Sequence, residues 1–272
     1  MDVPRQVEVL GVRFHPLTRK QASDAVVRLA ASGQKSYVVK PYSEFMPPAH
    51  GDPNISGVLN GAALCLPDGV GILWAAHYLS LPGGGLRAVI QLPLSLASLV
   101  VRPGALRKPL PQAMRGVDFT WEMLEAIDQA GLSVYLLGGT TEESSGAAKR
   151  IAERLPNLRI AGAHPGYLKK AVNAIAQINA AKTDVLLVAM GFPRQEKWIA
   201  ENLSRLDVKV AVAEGGSLTF ISGAVRRAPR WMRRSGLEWL YRLLHQPSRL
   251  RRQLALPLFV WLVFQERLHR GH

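Results

Sequence analysis

The sequence has very little cysteine: its 272 residues include one, Cys65. No disulfide can form within the chain, so nothing in it indicates an oxidising compartment. Cys65 stands in the apolar run AALCLP without an obvious base, which favours an inert core residue over a nucleophile. The N-terminus, MDVPRQVEVLGVRF, also lacks the basic and then apolar pattern of a signal peptide.

Long apolar runs and metal-ligand patterns are lacking as well. No stretch reaches the ~20 apolar residues of a spanning helix. Two shorter runs, residues 88–101 and 254–264, are expected to be buried or to lie at an interface. No H-E-x-x-H or D-x-D pattern occurs, so neither a metal site nor a cofactor is expected. Dinucleotide and P-loop glycine motifs are also missing.

Acidic residues are outnumbered, since 34 lysines and arginines face 20 aspartates and glutamates, for a net charge of +14 at pH 7. Such an excess predicts an acidic partner, namely nucleic acid, anionic lipid or a phosphorylated substrate. Hydrophobic residues make up 48% of the chain and charged residues 20%. This composition predicts a globular body of one large domain or two small ones.

The order of apolar runs predicts the fold class. After residue 116, strand-like runs such as SVYLLGG and DVLLVAMG alternate with helical patterns such as TEESSGAAKRIAERLP. Near-continuous apolar strands separated by helices predict an α/β fold with a parallel sheet covered by helices on both faces. Residues 80–115, which hold five basic residues and no acidic one, are expected to be an insertion or a mobile flap. We expect the body to span residues 1–222 and a C-terminal helical, arginine-rich appendage to span residues 223–272.

The loops after the predicted strands carry the candidate site, since open parallel sheets bind ligands beyond the carboxyl ends of their strands. Here those loops are PDGVG (67–71), GGTTEE (138–143), HPGY (164–167), MGFPRQEKW (190–198) and AEGGS (213–217). Glycine lets a ligand approach the backbone, and free N–H groups at a helix start attract phosphate. Any single loop is explained as well by a tight turn, whereas the set favours a nucleotide or sugar-nucleotide site.

Polar residues in two of these loops can carry chemistry. Asp68 follows a buried strand, where a carboxylate can act as general base for a hydroxyl nucleophile. The alternative is that Asp68 is the N-cap of a helix from Val70. Gln195 and Glu196 open a helix, where they can bind a nucleobase or sugar hydroxyls. Their alternative is a solvated, well-capped first turn.

The region 226–252 is strongly basic, with nine arginines and one acidic residue, Glu238. It also carries an apolar stripe at helical spacing and tryptophans suited to a membrane–water boundary: Leu237, Leu240, Tyr241, Leu244, Trp231 and Trp239. A basic amphipathic helix of this kind predicts attachment to an anionic membrane, and arginine favours bidentate phosphate binding. A helix docked on the body with a solvated basic face and a nucleic-acid arm are the alternatives.

These motifs occur together and in one order: LPDGVG, YLLGG, HPGY, MGFPRQEKW, GGSLTFISG, RAPRWM and GLEWLYRLLHQPSRLRRQ. Over residues 5–80 and 115–253 the chain thereby resembles the WecG/TagA/CpsF family of bacterial glycosyltransferases (glycosyltransferase family 26). The resemblance implies a Rossmann-like body and a membrane-attached C-terminal appendage. It also implies metal-independent, inverting transfer of an N-acetylmannosamine-type or related sugar from a UDP-sugar to a polyprenyl-diphosphate-linked sugar. Products of the family feed teichoic acid, enterobacterial common antigen or capsule, so we expect a cytoplasmic, peripheral protein on the inner face of the bacterial cell membrane.

The resemblance also implies roles for individual residues. Asp68 of the PDG motif is the expected catalytic base. The arginines expected to stabilise the leaving diphosphate are Arg242, Arg249 and Arg252 of the appendage. The expected nucleotide-sugar pocket includes Gly138, Gly139, Gln195, Glu196 and Thr219.

Three positions depart from the family pattern. Lys40 and Tyr42 stand where the family has threonine and asparagine, and Thr219 replaces an aspartate expected to contact the uracil. We therefore expect altered recognition of the acceptor, the sugar or the base. The alternative function is a non-catalytic membrane-bound or nucleic-acid-binding protein. Nucleic acid is disfavoured as a partner because the basic region follows a helical stripe instead of a groove with stacking aromatics. The sequence leaves the identity of the sugar, and whether the chain forms a homo-oligomer, open.

Overall fold

The computed structural model describes residues 5–166, 172–225, 229 and 254–270. Its N-terminal part is a hairpin in which β1 (Val7–Val9) pairs with antiparallel β2 (Val12–Phe14). The turn falls at Leu10 and Gly11, which both have positive φ angles, a conformation that glycine adopts without steric cost.

A six-stranded parallel sheet forms the centre of the molecule. Its strands are β3 (Ser36–Val39), β4 (Leu64–Cys65), β5 (Ser133–Gly138), β6 (Arg159–His164), β7 (Val185–Ala189) and β8 (Val210–Ala213). Their spatial order is β4-β3-β8-β7-β5-β6, and every neighbouring pair is parallel. The predicted α/β fold is confirmed, and all six carboxyl ends lie along one edge of the sheet.

Helices connect the strands and cover both faces of the sheet. In the described residues they are α1 (Arg19–Ala31), α2 (Met46–Gly51), α3 (Pro53–Asn60), α4 (Val70–Ser80), α5 (Leu86–Val101), α6 (Gly116–Gln129), α7 (Thr141–Arg154), α8 (Val172–Ala180), α9 (Arg194–Asn202), α10 (Ser217–Ser222) and α11 (Ala255–His269). Thr18 and Thr140 form capping boxes at the starts of α1 and α7. Such boxes satisfy backbone donors that a helix start leaves unpaired.

Alternation along the strands divides the core into two apolar layers. In β3, Val38 faces the layer formed with α1, α6, α7 and α10. Tyr37 and Val39 face the opposite layer, which is formed with α2, α3, α4, α8, α9 and α11. Burial on both faces explains why the strands are apolar at consecutive positions. Cys65 is fully buried in β4, and burial raises the pKa of its thiol, which confirms an inert core residue.

Residues 80–115 hold a helix that the sequence analysis does not predict, because Pro93 interrupts the apolar run. The 16-residue helix α5 nevertheless forms there, with Pro93 inside it. Two buried hydrogen bonds fix α5 on α4. The Trp74 indole Nε1 donates to Ser95 Oγ at 3.0 Å, and the Tyr78 hydroxyl donates to the Ala88 carbonyl oxygen at 2.8 Å. This stretch is therefore a helical layer outside α4.

The last described helix, α11, packs against the body. Phe259 and Val263 are buried in the same layer as α4. The Phe259 ring meets Trp74 edge-on, with 6.1 Å between the ring centroids. Arg267 donates to the carbonyl oxygens of Leu81 and Gly83. Residues beyond the expected boundary at residue 222 thus contribute to the core of the body.

A second contact ties α11 to the start of the chain. Glu266 Oε2 accepts the backbone N–H of Leu10 at 2.9 Å, and Arg270 Nη2 donates to the Glu8 carbonyl oxygen at 3.2 Å. The first hairpin and the last described helix are therefore hydrogen-bonded to each other. Neither α11 nor any other helix in the described ranges has the length and apolar character needed to cross a bilayer.

Candidate functional site at the carboxyl edge of the sheet

The loop after β4 places Asp68 beside the loop after β3. The backbone N–H of Asp68 donates to the Pro41 carbonyl oxygen at 3.1 Å, and the residue is half-buried. Gly69, with a φ of 80°, is the N-cap of α4 and has no side chain of its own that could cap the helix. The alternative in which Asp68 is the N-cap is therefore wrong, whereas its placement at a strand's carboxyl end is confirmed.

The start of α4 is in close contact with two other elements. A Cβ atom on Gly71 would lie 2.0 Å from Ser43 Oγ and 3.8 Å from Phe259 Cε1. A side chain at this position would force the Ser43 hydroxyl to rotate away and would crowd the Ser43 Cβ atom at 3.2 Å, so glycine allows the two segments to approach closely. The C-terminal helix α11 therefore reaches the loop that carries Asp68.

A buried ion pair joins the ends of the neighbouring strands β3 and β8. Lys40, directly after β3, places Nζ 2.7 Å from Oε1 of Glu214, directly after β8, and their side chains are 4% and 0% exposed. The Thr120 hydroxyl donates to the other carboxylate oxygen, Oε2, at 2.5 Å and lies 3.1 Å from Ser217 Oγ. The ammonium group also lies 5.3 Å from the centroid of the Phe119 ring. Both charges are thus fully paired inside the protein, as buried ions require.

The position of this pair within the sheet favours a ligand site nearby. After β3 the chain enters α2 on one face of the sheet, and after β8 it enters α10 on the other face. Open α/β sheets bind ligands where neighbouring strands diverge in this way. The sequence signal for the pair was the charged residue at the end of each run, VVK and AVAE. From the sequence, Lys40 stands out only as a departure from a family pattern, and its partner Glu214 does not stand out.

Gln195 connects the loops after β7 and β8. Its Oε1 accepts the backbone N–H groups of Gly191 at 3.1 Å and Gly215 at 3.0 Å. Its Nε2 donates to Glu196 Oε1 at 2.8 Å. Gln195 and Glu196 are 3% and 2% exposed, so the alternative of a solvated first turn is wrong. Their predicted position at the start of a helix, α9, is confirmed.

Glu196 is electrostatically unusual. Burial raises the pKa of its carboxyl group to about 7, although the hydrogen bond from Gln195 opposes the shift. Its buried Oε2 has no hydrogen-bond partner among the described residues. A buried polar atom without a partner costs free energy, which a bound polar group would recover. A carboxyl that is partly protonated near neutral pH can donate as well as accept such a bond.

Glycines bring the ends of β5, β6 and β7 together. A Cβ atom on Gly138, whose φ is 147°, would lie 2.2 Å from the Ala189 carbonyl oxygen. Gly139 donates its N–H to that same oxygen at 3.2 Å and accepts the N–H of Gly166 at 3.1 Å. The predicted glycine-lined edge is present. At the nearby start of α7, a carboxylate of the helix itself already accepts a backbone N–H, since the Thr140 N–H donates to Glu143 Oε2 at 2.9 Å.

An aromatic row spans from the loop after β3 to the loop after β7. The Phe45 ring stacks on Phe192 with centroids 3.7 Å apart, and the Tyr42 ring lies 3.8 Å from Phe45. Neither Phe45 nor Phe192 can be recognised as part of the site from the sequence, because an isolated phenylalanine in a loop carries no positional signal.

The remaining candidate residues divide into two groups. Thr219 is half-buried in α10, and its carbonyl oxygen accepts the Ser222 hydroxyl at 2.9 Å. Residues outside the described ranges include Arg242, Arg249 and Arg252 and the apolar stripe with Trp231 and Trp239. Within the described ranges, no group of three or more histidine, cysteine, aspartate or glutamate side chains is placed to hold a metal ion.

Comparisons with known proteins agree with this architecture. A family model described as "Glycosyl transferase WecG/TagA/CpsF family" matches residues 7–104 and 93–272. The N-acetylglucosaminyldiphosphoundecaprenol N-acetyl-beta-D-mannosaminyltransferase of Bacillus spizizenii is 30% identical over 214 residues, covering 79% of this chain and 73% of the relative. A protein of the same name from Staphylococcus aureus strain MRSA252 is 28% identical over 261 residues, covering 95% of this chain and 92% of the relative.

Proposed function

The chain belongs to the WecG/TagA/CpsF family of glycosyl transferases, and we propose that it moves an N-acetylmannosamine-type or related sugar from a UDP-sugar to a polyprenyl-diphosphate-linked sugar. The names of the relatives contain such a sugar and such an acceptor. The observation that carries the proposal is the continuous set of contacts along the carboxyl edge. Asp68 bonds to the loop after β3, Lys40 pairs with Glu214, and Gln195 joins the loops after β8 and β7.

In the proposed reaction Asp68 acts as the general base. The acceptor hydroxyl oxygen forms a bond to the anomeric carbon, and its proton passes to the Asp68 carboxylate. The bond between the anomeric carbon and the phosphate oxygen breaks, and its electron pair leaves with UDP. A single displacement of this kind inverts the configuration at the anomeric carbon.

The other candidate residues receive binding roles in the proposal. The leaving UDP gains negative charge, which Arg242, Arg249 and Arg252 would offset. Gly138 and Gly139 let the nucleotide-sugar approach the backbone at the end of β5. The partly protonated Glu196 would bind a polar group of the donor through its free Oε2, while Gln195 holds the surrounding loops. Thr219, which replaces an aspartate expected to contact the uracil, would contact the nucleobase of the donor.

The proposal also includes a location. Because the acceptor is anchored in a bilayer while a UDP-sugar is dissolved in the cytoplasm, the enzyme would work as a peripheral protein on the inner face of the cell membrane. The basic region 226–252 would attract anionic lipid headgroups. In this arrangement the α/β body over residues 1–222 would bind the donor. The appendage over residues 223–272 would bring the body, with the bound donor, to the acceptor.

The decisive experiment is turnover with defined substrates. The purified full chain is incubated with a panel of UDP-sugars, including UDP-N-acetylmannosamine, and a diphosphate-linked N-acetylglucosamine lipid. UDP release and the mass of the lipid product are followed together. We expect Asp68→Asn to lower kcat by about 100-fold or more while donor affinity is retained. Asp24→Asn, a matched change on the surface of α1, should turn over at the wild-type rate.

Two outcomes would overturn parts of the proposal. Wild-type turnover by Asp68→Asn would exclude Asp68 as the base. If no donor in the panel yields UDP or a heavier lipid with the wild-type chain, the proposed transfer itself is wrong.

A further inference from the structure

Helix α5 carries apolar side chains on its exposed face as well as on its buried face, which is unusual for a helix at the surface of a protein in water. One face packs on the body through Ala88 and Ser95, which are buried. The other face is uncovered in the described residues, and its apolar side chains expose between 48% and 86% of their surface. They are Leu86, Val89, Ile90, Leu94, Val100 and Val101.

Helix α11 continues this uncovered face. Its buried side holds Phe259, Val263 and Arg267, whereas Leu254, Leu258 and Trp261 are exposed at i, i+4 and i+7. The two helices touch, since Arg267 Nη2 lies 3.4 Å from Gln91 Oε1 of α5. Apart from Val70, every exposed large hydrophobic side chain in the described ranges lies in these two helices or, as Leu254 does, at the N-cap of α11. We call the exposed residues of both helices the α5–α11 surface.

Basic residues border the α5–α11 surface. Arg87, Arg102, Arg107 and Lys108 are exposed beside the ends of α5, and residues 80–115 contain no acidic side chain. An apolar face bordered by cations complements an anionic bilayer, because apolar groups enter the headgroup boundary while the cations meet phosphates. The indole of Trp261 suits the same boundary. A symmetric contact between two copies would place these cations opposite one another, which repulsion disfavours.

We propose that the α5–α11 surface lies on the anionic bilayer and is a membrane contact separate from the arginine-rich region 226–252. The inference rests on the proposed function for its purpose, since a lipid-linked acceptor is reached from that bilayer. The geometry connects the two, because Phe259 of α11 lies against Gly71, at the start of the helix that follows Asp68. Seating α11 on the lipid would therefore hold the Asp68 loop near the membrane.

The test measures binding to vesicles without any sugar donor. The full chain and the variant Leu86→Ser/Ile90→Ser/Leu94→Ser are sedimented with vesicles of phosphatidylglycerol and phosphatidylcholine. We expect the partition coefficient of the variant to fall by about tenfold or more. Its thermal unfolding should match that of the wild type, because all three side chains are exposed.

A second pair of variants tests the basic border. Arg87→Gln/Arg102→Gln should lower binding to phosphatidylglycerol vesicles by about tenfold. The matched control, Arg28→Gln/Lys149→Gln, removes the same charge from α1 and α7 in the opposite layer. It should change binding by less than about twofold, since its charges lie away from the bilayer.

The outcomes separate this proposal from the proposed function. Wild-type partitioning of the serine variant would overturn it. So would a wild-type dimer that the serine variant converts to monomers with vesicle binding unchanged, because a second copy would then cover the surface. Transfer to a water-soluble acceptor analogue should be equal in the two proteins. If the wild type transfers no sugar yet only the variant loses vesicle binding, the proposed function fails and the membrane contact stands.

Discussion

Glu196 couples the stability of the fold to pH. Burial raises the pKa of its carboxyl group from an ordinary 4.5 to about 7. Between these two values the folded protein keeps a proton that the unfolded chain releases. The contribution of this group to the free energy of unfolding is therefore highest below pH 4.5 and falls as the pH rises from 4.5 to about 7. A shift of this size corresponds to a loss on the order of 3 kcal/mol.

We predict that Glu196→Gln removes this pH dependence, because an amide does not ionise. Urea unfolding at pH 5 and pH 8 measures the difference for each protein. The wild type should lose about 2 kcal/mol more than the variant between these pH values. Glu153→Gln, an exposed control on α7, should keep the wild-type dependence. Parallel behaviour of the wild type and Glu196→Gln would show that the Glu196 carboxyl is not the group that titrates.

The Lys40–Glu214 pair allows a second prediction for single residues. Lys40→Met leaves the Glu214 carboxylate buried without its cation, so the free energy of unfolding should fall by about 3–5 kcal/mol. Adding Glu214→Gln should restore much of that loss, since no charge then remains buried. A double-mutant cycle in urea gives the coupling energy between the two positions. Strictly additive effects would mean that the pair contributes nothing beyond its separate side chains.

At the scale of secondary-structure elements, close approach between two backbones limits the size of the side chain that a position can hold. We predict that Gly138→Ala separates the ends of β5 and β7, because the new Cβ would lie 2.2 Å from the Ala189 carbonyl oxygen. Both the melting temperature and the affinity for a UDP-sugar should fall, as measured by scanning calorimetry and titration calorimetry. Gly57→Ala, in the interior of α3 with open space around its Cβ, should instead stabilise the protein by about 0.5–1 kcal/mol.

The same elements show which signals the sequence carries. Strands β5, β7 and β8 are predictable because burial on both faces demands consecutive apolar residues. Helix α5 is not predictable, since Pro93 argues against a helix and is outweighed by packing on the body, which includes the hydrogen bonds from Trp74 and Tyr78. Local patterns thus identify elements whose environment matches their composition. They miss an element that tertiary contacts stabilise against its own sequence.

At the scale of the whole molecule, α11 is held by one buried face and leaves another exposed. We predict that Phe259→Ala lowers the free energy of unfolding by about 3–5 kcal/mol, because it empties a space beside Trp74. Trp261→Ala, an aromatic truncation on the same helix, should change stability by less than about 0.5 kcal/mol, since Trp261 is exposed. Urea unfolding compares the two. Equal losses would mean that α11 is not docked through Phe259.

The candidate site as a whole was only partly predictable. The sequence places Asp68, Gln195 and Glu196 at strand ends, because each follows a buried run and a turn signal. It does not tell which strand ends are neighbours. Lys40 and Glu214 are 174 positions apart and meet only because β8 inserts beside β3 in the sheet. Spatial strand order follows from packing of the whole chain, so the partner of a buried charge is visible only in the folded structure.

The bonds between the first hairpin and α11 have a consequence for biosynthesis. The hairpin leaves the ribosome before α11 does, yet the Leu10 N–H and the Glu8 carbonyl oxygen bond to Glu266 and Arg270 of the α11 region. These hairpin contacts can therefore form only after α11 has been synthesised. The proposed lipid-facing surface, built partly from α11, is likewise incomplete until that helix has left the ribosome. Contact with the bilayer through this surface would accordingly follow the docking of α11 on the body.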